Sequence, residues 1–337
     1  MSRIIFIVFL FLASLVQSAY AASFGAGFRS MGDWSDEDKR RMDLLVWYPT
    51  TKGEREVSMS PWTLYGSPGA KCATGKFPLL VISHFTPGGR FSYHELAAFF
   101  ARRGYVVVAP THPRDNLDNM DDIYTWRQLL RRAENIDQAI DLALDMPDVK
   151  ESLDREKIGF IGFGAGATTG LLLGGAAPNC ANWQSYCARA GNGDVYCQKW
   201  TKDRIDDMCD GLPLDEKVAN PRVKASALVG PAYGMMFDQY SFSDYAPETL
   251  LVGIVGDKGD SPIAQSESIA RAMGKKAFYY ELKDADMGAL TSACPSFLAS
   301  EMPDLCLSVP PETRQRLRDE LASALATFFD RYLPASP

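Results

Sequence analysis

The chain has 337 residues, 46% of them hydrophobic and 23% charged, which is enough apolar mass for one sizeable core in the size range of single α/β domains. Its formal net charge of -7 offers no basic stripe to neutralise phosphates, so a nucleic-acid partner is excluded at this level.

At the N-terminus Arg3 precedes an apolar run from Ile4 to Val16 and then the small-residue site Ala19-Tyr20-Ala21. This is the three-part pattern of a secretory signal, with cleavage expected after Ala21. The rival is an uncleaved anchor, but the run is short for a span of roughly 20 residues, and no other stretch could cross a bilayer. Residues 22–337 are therefore expected as one periplasmic or secreted domain with no integral membrane span. Export also accounts for cysteines at positions 72, 180, 187, 197, 209, 294 and 306, since an oxidising compartment preserves disulfides.

Along the mature chain, Met42 to Tyr48 reads as a strand stopped by Pro49. Phe77 to Ser83 and Tyr105 to Ala109 are β-branched apolar runs of the kind buried on both faces, and the amphipathic segment Tyr93 to Arg103 between them completes a βαβ unit. A helix from Trp126 to Met146, with Leu129, Leu130, Ile136, Ile140 and Leu144 on one side, leads to the strand Lys157 to Gly162, and helix resumes at Ala165.

The stretch from Gly174 to Asn220 breaks this rhythm, and it is expected to form a lid over a pocket or a stapled surface excursion. Its cysteines, Cys180, Cys187, Cys197 and Cys209, could pair in three ways; a zinc site is the weaker reading, because no Cys-x-x-Cys spacing and no nearby histidine accompany them. Later strands are Ala225 to Val229, Leu250 to Val255 and Ala277 to Leu282. Cys294 and Cys306 form a separate local pair that leaves Cys72 over, and a helix from Pro311 to Leu333 closes the chain. The alternation predicts an α/β fold, a mostly parallel sheet with helices on both faces.

Gly162-Phe163-Gly164-Ala165-Gly166 lies between strand and helix, the context of the G-x-S-x-G nucleophile elbow. A dinucleotide fingerprint is not completed, because Thr168 and Thr169 precede Gly170, and no cofactor is expected. Here the chain resembles the α/β-hydrolase superfamily. Val46-Trp47-Tyr48-Pro49-Thr50, Ser83-His84 before Gly88-Gly89, the run Ala109 to Asn116 and the closing Cys294 to Cys306 segment sharpen the likeness. Together they resemble exported bacterial dienelactone-hydrolase-like proteins related to platelet-activating-factor acetylhydrolases.

That resemblance implies a Ser-His-Asp triad, and carrying it over places the serine on Gly164 and the histidine on Met287. The acid falls on Gly259, with Asp257 or Asp260 one shift away, or on Gly230 at the preceding strand end. Glycine cannot attack a carbonyl and methionine cannot accept a proton. Independently of any alignment, His84, His94 and His112 all precede the elbow, whereas the fold orders its triad Ser, acid, His. His84, Phe85 and Thr86 of the oxyanion loop, with Ala165, are the pocket candidates, and Phe85 puts a ring where the family has glycine.

Two functions follow. The first is a catalytically dead binding or accessory protein that uses the old pocket for a small apolar or ester-like ligand, or for a protein partner. The second is an ester hydrolase acting through Thr86 or Thr168, or through a metal held by Asp257, Asp260, Asp284 and Asp286.

Overall fold

The structure, a computed structural model, describes residues 24–35, 40–191, 194–199, 201, 203, 204, 209, 218–256 and 261–335. The expected signal segment 1–21 lies outside them, as do Asp257, Gly259 and Asp260.

The strongest apolar runs form the centre of the sheet. β5 (Phe77–Ser83) and β6 (Val106–Pro110) are buried at every position, as β-branched runs without alternation require. They are flanked by β2 (Arg40–Thr50), β7 (Leu153–Phe163), β8 (Val223–Val229), β9 (Glu248–Val255) and β10 (Ala277–Lys283), each within a few residues of its expected span. The sequence pattern does not reveal β1 (Gly25–Ser35), β3 (Arg55–Met59) or β4 (Trp62–Pro68). β1 is glycine-rich and has no β-branched run; it is a strand because it pairs along its whole length with β2.

The sheet order is β10-β9-β8-β7-β5-β6-β2-β1-β4-β3. From β10 to β6 all neighbours are parallel, while β2 joins β6 antiparallel and β1 joins β2 likewise. One face is covered by α2 (Trp126–Asp145), α3 (Ala165–Leu173) and α5 (Ser261–Met273), which contribute Ile136, Leu171 and Ile269 to one core. The other is covered by α1 (His94–Arg102) and the closing helix α8 (Pro311–Tyr332), whose Phe100, Leu321 and Phe329 belong to a second core. Among the described residues no helix is long and apolar enough to cross a membrane.

Within the irregular stretch, α4 (Cys180–Ala190) is held by Cys180–Cys209 and Cys187–Cys197. Trp183 and Tyr196 pack on Tyr233, which follows β8. The third disulfide joins Cys294 to Cys306 around α6 (Ser296–Glu301) and α7 (Pro303–Cys306), and Cys72 remains a buried thiol.

Candidate functional site

Parallel α/β sheets assemble their sites beyond the carboxyl ends of the strands. Here β7 ends in a turn whose tightness dictates its composition. A Cβ on Gly162 would collide with the backbone of Gly166 and Ala167, and one on Gly166 would collide with the Ser83 carbonyl. Gly164 sits between them at φ 54° and ψ -117°, a conformation that L side chains rarely adopt. The strained elbow geometry is therefore present, with no side chain at its tip.

A Cβ at Gly164 would stand 3.2 Å from Phe85 Cβ and 3.6 Å from Met287 Cε. One at Gly230, at the end of β8, would stand 3.1 Å from the same Met287 Cε. Residues 164, 230 and 287, separated widely in sequence, thus meet at one point. Tyr93, the residue before α1, closes the point, stacking on Phe163 with ring centroids 3.6 Å apart and placing its hydroxyl 3.7 Å from Met287 Sδ. Phe85 is buried against Tyr93, so the place is filled by a thioether and rings. Ala165 begins α3, and its N–H, in the first helical turn, has no intrahelical acceptor.

Directly behind this apolar plug lies a buried polar network that sequence reading missed. Arg132 of α2 donates from Nε to Asp115 Oδ2 at 2.5 Å, from Nη1 to the His84 carbonyl at 2.6 Å and from Nη2 to Thr86 Oγ1 at 3.0 Å. Thr86 donates to Asp115 Oδ1 at 2.7 Å, and Gln128 Nε2 reaches Asp115 Oδ2 at 2.7 Å while its Oε1 accepts from the Tyr233 hydroxyl. His84 Nδ1 donates to the Phe85 carbonyl at 2.7 Å and its Nε2 accepts from the His112 N–H at 3.1 Å, which fixes a neutral tautomer. His112 lies between Ser83 Oγ, 2.8 Å from Nε2, and Asn135 Oδ1, 3.3 Å from Nδ1.

Burial, then the Arg132 charge, pulls His84 down to about 3, and burial with Arg132 and His84 drives His112 well below its usual value. Burial opposes ionisation of Asp115, but the charge and hydrogen bond of Arg132 outweigh it and hold the carboxyl below its ordinary value. The signal for this network was available: Gln128, Arg132 and Asn135 recur at helical spacing beside Leu129 and Ile136, so polar groups share the buried stripe.

The hydroxyls considered as substitute nucleophiles are committed elsewhere. Thr86 is bound as described, and Thr168 donates to the Ala232 carbonyl at 2.5 Å. Asp286 caps a turn by accepting from Ala289 N–H at 2.7 Å and Ser308 Oγ at 3.0 Å. Among the described residues no three His, Cys, Asp or Glu side chains converge as metal ligands.

A cavity of about 700 Å³ opens beside the plug and not within it. Its walls include Arg90 and Phe91 after the Gly88-Gly89 turn, the loop carrying Arg114 and Asp118, and α6 with Phe297 and Glu301. Neither Gly164 nor Met287 lines it, and no described residue of 174–220 does. The Cys-rich stretch packs instead over Tyr233 and Tyr124.

No protein-family model matches the chain, and no curated protein does. Solved structures do. A ferulic acid esterase from Streptomyces cinnamoneus superposes with a TM-score of 0.60 at 18% identity, covering 95% of this chain and 93% of that one. An acylaminoacyl peptidase from Pyrococcus horikoshii gives 0.53 at 15% identity, and a putative dipeptidyl aminopeptidase IV from Bacteroides ovatus gives 0.51 at 9%. Each of these two is covered by 93% of this chain, which spans only 42% and 37% of their respective lengths. At such identities the likeness is one of fold, and the fold is that of the α/β hydrolases.

Proposed function

We propose that this chain is an exported, non-catalytic protein on the α/β-hydrolase scaffold, which binds a ligand or partner and does not cleave it. The observation that carries this reading is the meeting of residues 164, 230 and 287 at one point. Serine, carboxylate and imidazole at those positions would touch; here two of them are glycine and the third is a thioether, which can neither attack a carbonyl nor take a proton. The meeting point supports Gly230 as an acid position, on the dienelactone-hydrolase-like branch that the sequence resembles, while Gly259 lies outside the described residues. Three disulfides support an oxidising destination, and so a cleaved signal before residue 22.

One observation favours the rival, an ester hydrolase. Ser83, His112 and Asn135 follow the nucleophile, base and orienting group of a catalytic relay, and the solved neighbours are named for an esterase and peptidases. Against it, Ser83 and His112 are both 0% exposed, and Arg132 Nη1 lies 3.4 Å from the same Ser83 Oγ. An activated serine is labelled by fluorophosphonates. The mature protein is expected to take up no such probe and to leave a short-chain chromogenic ester intact with or without divalent metal. Stoichiometric labelling would overturn the non-catalytic reading, and its loss in Ser83→Ala would assign the activity to the buried relay.

A further inference from the structure

We infer that the cavity beside the elbow is a carbohydrate site, shaped for one or two neutral sugar rings. This names the ligand class for the binding function proposed above and rests on that reading. The cavity's volume of about 700 Å³ lies within the range of small-ligand pockets.

Its charges are arranged against an anionic guest. The Arg90 guanidinium is paired with Asp43 at 3.0 Å, and Arg114 is paired with Asp122 at 3.0 Å and Asp121 at 3.2 Å. The exposed carboxylates of Asp118 and Glu301, by contrast, have no hydrogen-bond or ion-pair partner among the described residues. No uncompensated positive charge is left for a phosphate or carboxylate ligand.

The unmet hydrogen-bonding demands are of both kinds. Arg114, its side chain 40% exposed, spends Nε on Asp122 and Nη1 on Asp121 and keeps Nη2 donors with no acceptor among the described residues, while Asp118 and Glu301 offer acceptors without donors. An ammonium serves only the carboxylates and a carboxylate only the guanidinium, whereas a hydroxyl donates and accepts. A ring carrying several hydroxyls answers both demands at once.

The same ring has an apolar C–H face, and the cavity supplies a surface for it. Phe91 is already covered, by Arg90 at 4.7 Å on its ring and by Trp62 stacked at 5.9 Å. Phe297 is 60% exposed at the rim, has no ring partner among the described residues, and stands beside Leu298 and Met302 in the lining. An aromatic face next to paired donors and acceptors fits a pyranose better than a wholly apolar or a charged guest.

The test uses the full mature chain on a glycan array, followed by calorimetric titration with cellobiose, xylobiose and N,N′-diacetylchitobiose, and with benzylammonium and phenylacetate as charged comparators. At least one glycan is expected to bind more tightly than either charged probe. Phe297→Ala should weaken it about fivefold to tenfold and Glu301→Gln about tenfold, both variants keeping the parent's unfolding midpoint because both positions are exposed. Binding of no glycan, tighter binding of a charged probe, or glycan binding indifferent to both variants would overturn the inference. Glycan binding together with ester turnover would instead leave the site standing and overturn the non-catalytic reading.

Discussion

At Gly164 the surrounding groups are the Met287 thioether and the Phe85 Cβ, with Tyr93 stacked on Phe163 beside them, whereas on the other side of the same loop Ser83, His84, Thr86 and their partners are polar and hydrogen-bonded. The residue types usually associated with catalysis are thus present, but displaced one layer inward, where they are sealed. A buried charge network demands complete satisfaction, and an apolar plug demands only fit. The two regions should therefore respond very differently to substitution.

The largest effect is expected in the network. Arg132→Met strands the Asp115 carboxylate, which is 2% exposed, and should cost about 3 to 5 kcal/mol in denaturant unfolding. Pairing it with Asp115→Leu should recover part of that loss; a single variant as stable as the parent would show that the network contributes nothing. Next comes the disulfide loop in the cavity wall, where Cys294→Ser with Cys306→Ser should cost roughly 2 to 3 kcal/mol in the chain-entropy model. Peptide mapping without reduction checks the pairing directly, and free thiols at both positions would refute it.

At the plug, Gly164→Ser adds a Cβ at positive φ and 3.2 Å from Phe85 Cβ, and should cost about 1 to 3 kcal/mol while yielding no esterase activity. Only together with Met287→His and an acid, at Gly230 or Gly259, could turnover begin. Esterase activity in the single variant would reveal a base elsewhere.

The last effect needs no substitution and is graded with pH. Burial and Arg132 lower the folded pKa of His84 to about 3 and that of His112 well below its usual value, so as pH falls below the unfolded value near 6.5 the unfolded chain binds more protons. Stability should be full above about pH 6.5 and decline as pH falls, each histidine contributing a slope of at most about 1.4 kcal/mol per pH unit. Asp115, held below its usual value, adds a further loss once pH falls below about 4. Urea midpoints that stay flat from pH 7.5 to 4.5 would contradict buried neutral imidazoles.

The contrast also explains what could be read in advance. The central strands, the tight glycine turn and the closing disulfide were legible, because apolar runs, forbidden Cβ positions and local cysteine pairs leave their mark on neighbouring residues. β1, β3 and β4 were not, since β1 depends on β2 for its hydrogen bonds and β3 and β4 on each other. The choice among three pairings of Cys180, Cys187, Cys197 and Cys209 depends on how α4 and the turn at Cys197 pack, which spacing alone does not show. The cavity, too, was out of reach: its walls come from the Gly88 turn, the Arg114 loop and α6, and no periodicity links them.

The Cys294–Cys306 bond has a consequence for recognition as well as for stability. Phe297, Leu298, Glu301 and Met302 all lie between its two sulfurs, so one wall of the cavity is tethered at both ends before any guest arrives. Ordering a mobile side chain on binding costs about 0.5 to 1.5 kcal/mol, and a wall already fixed by a covalent link spares part of that cost for each residue it carries. A change in redox state would therefore appear as a faster off-rate before it appeared as unfolding.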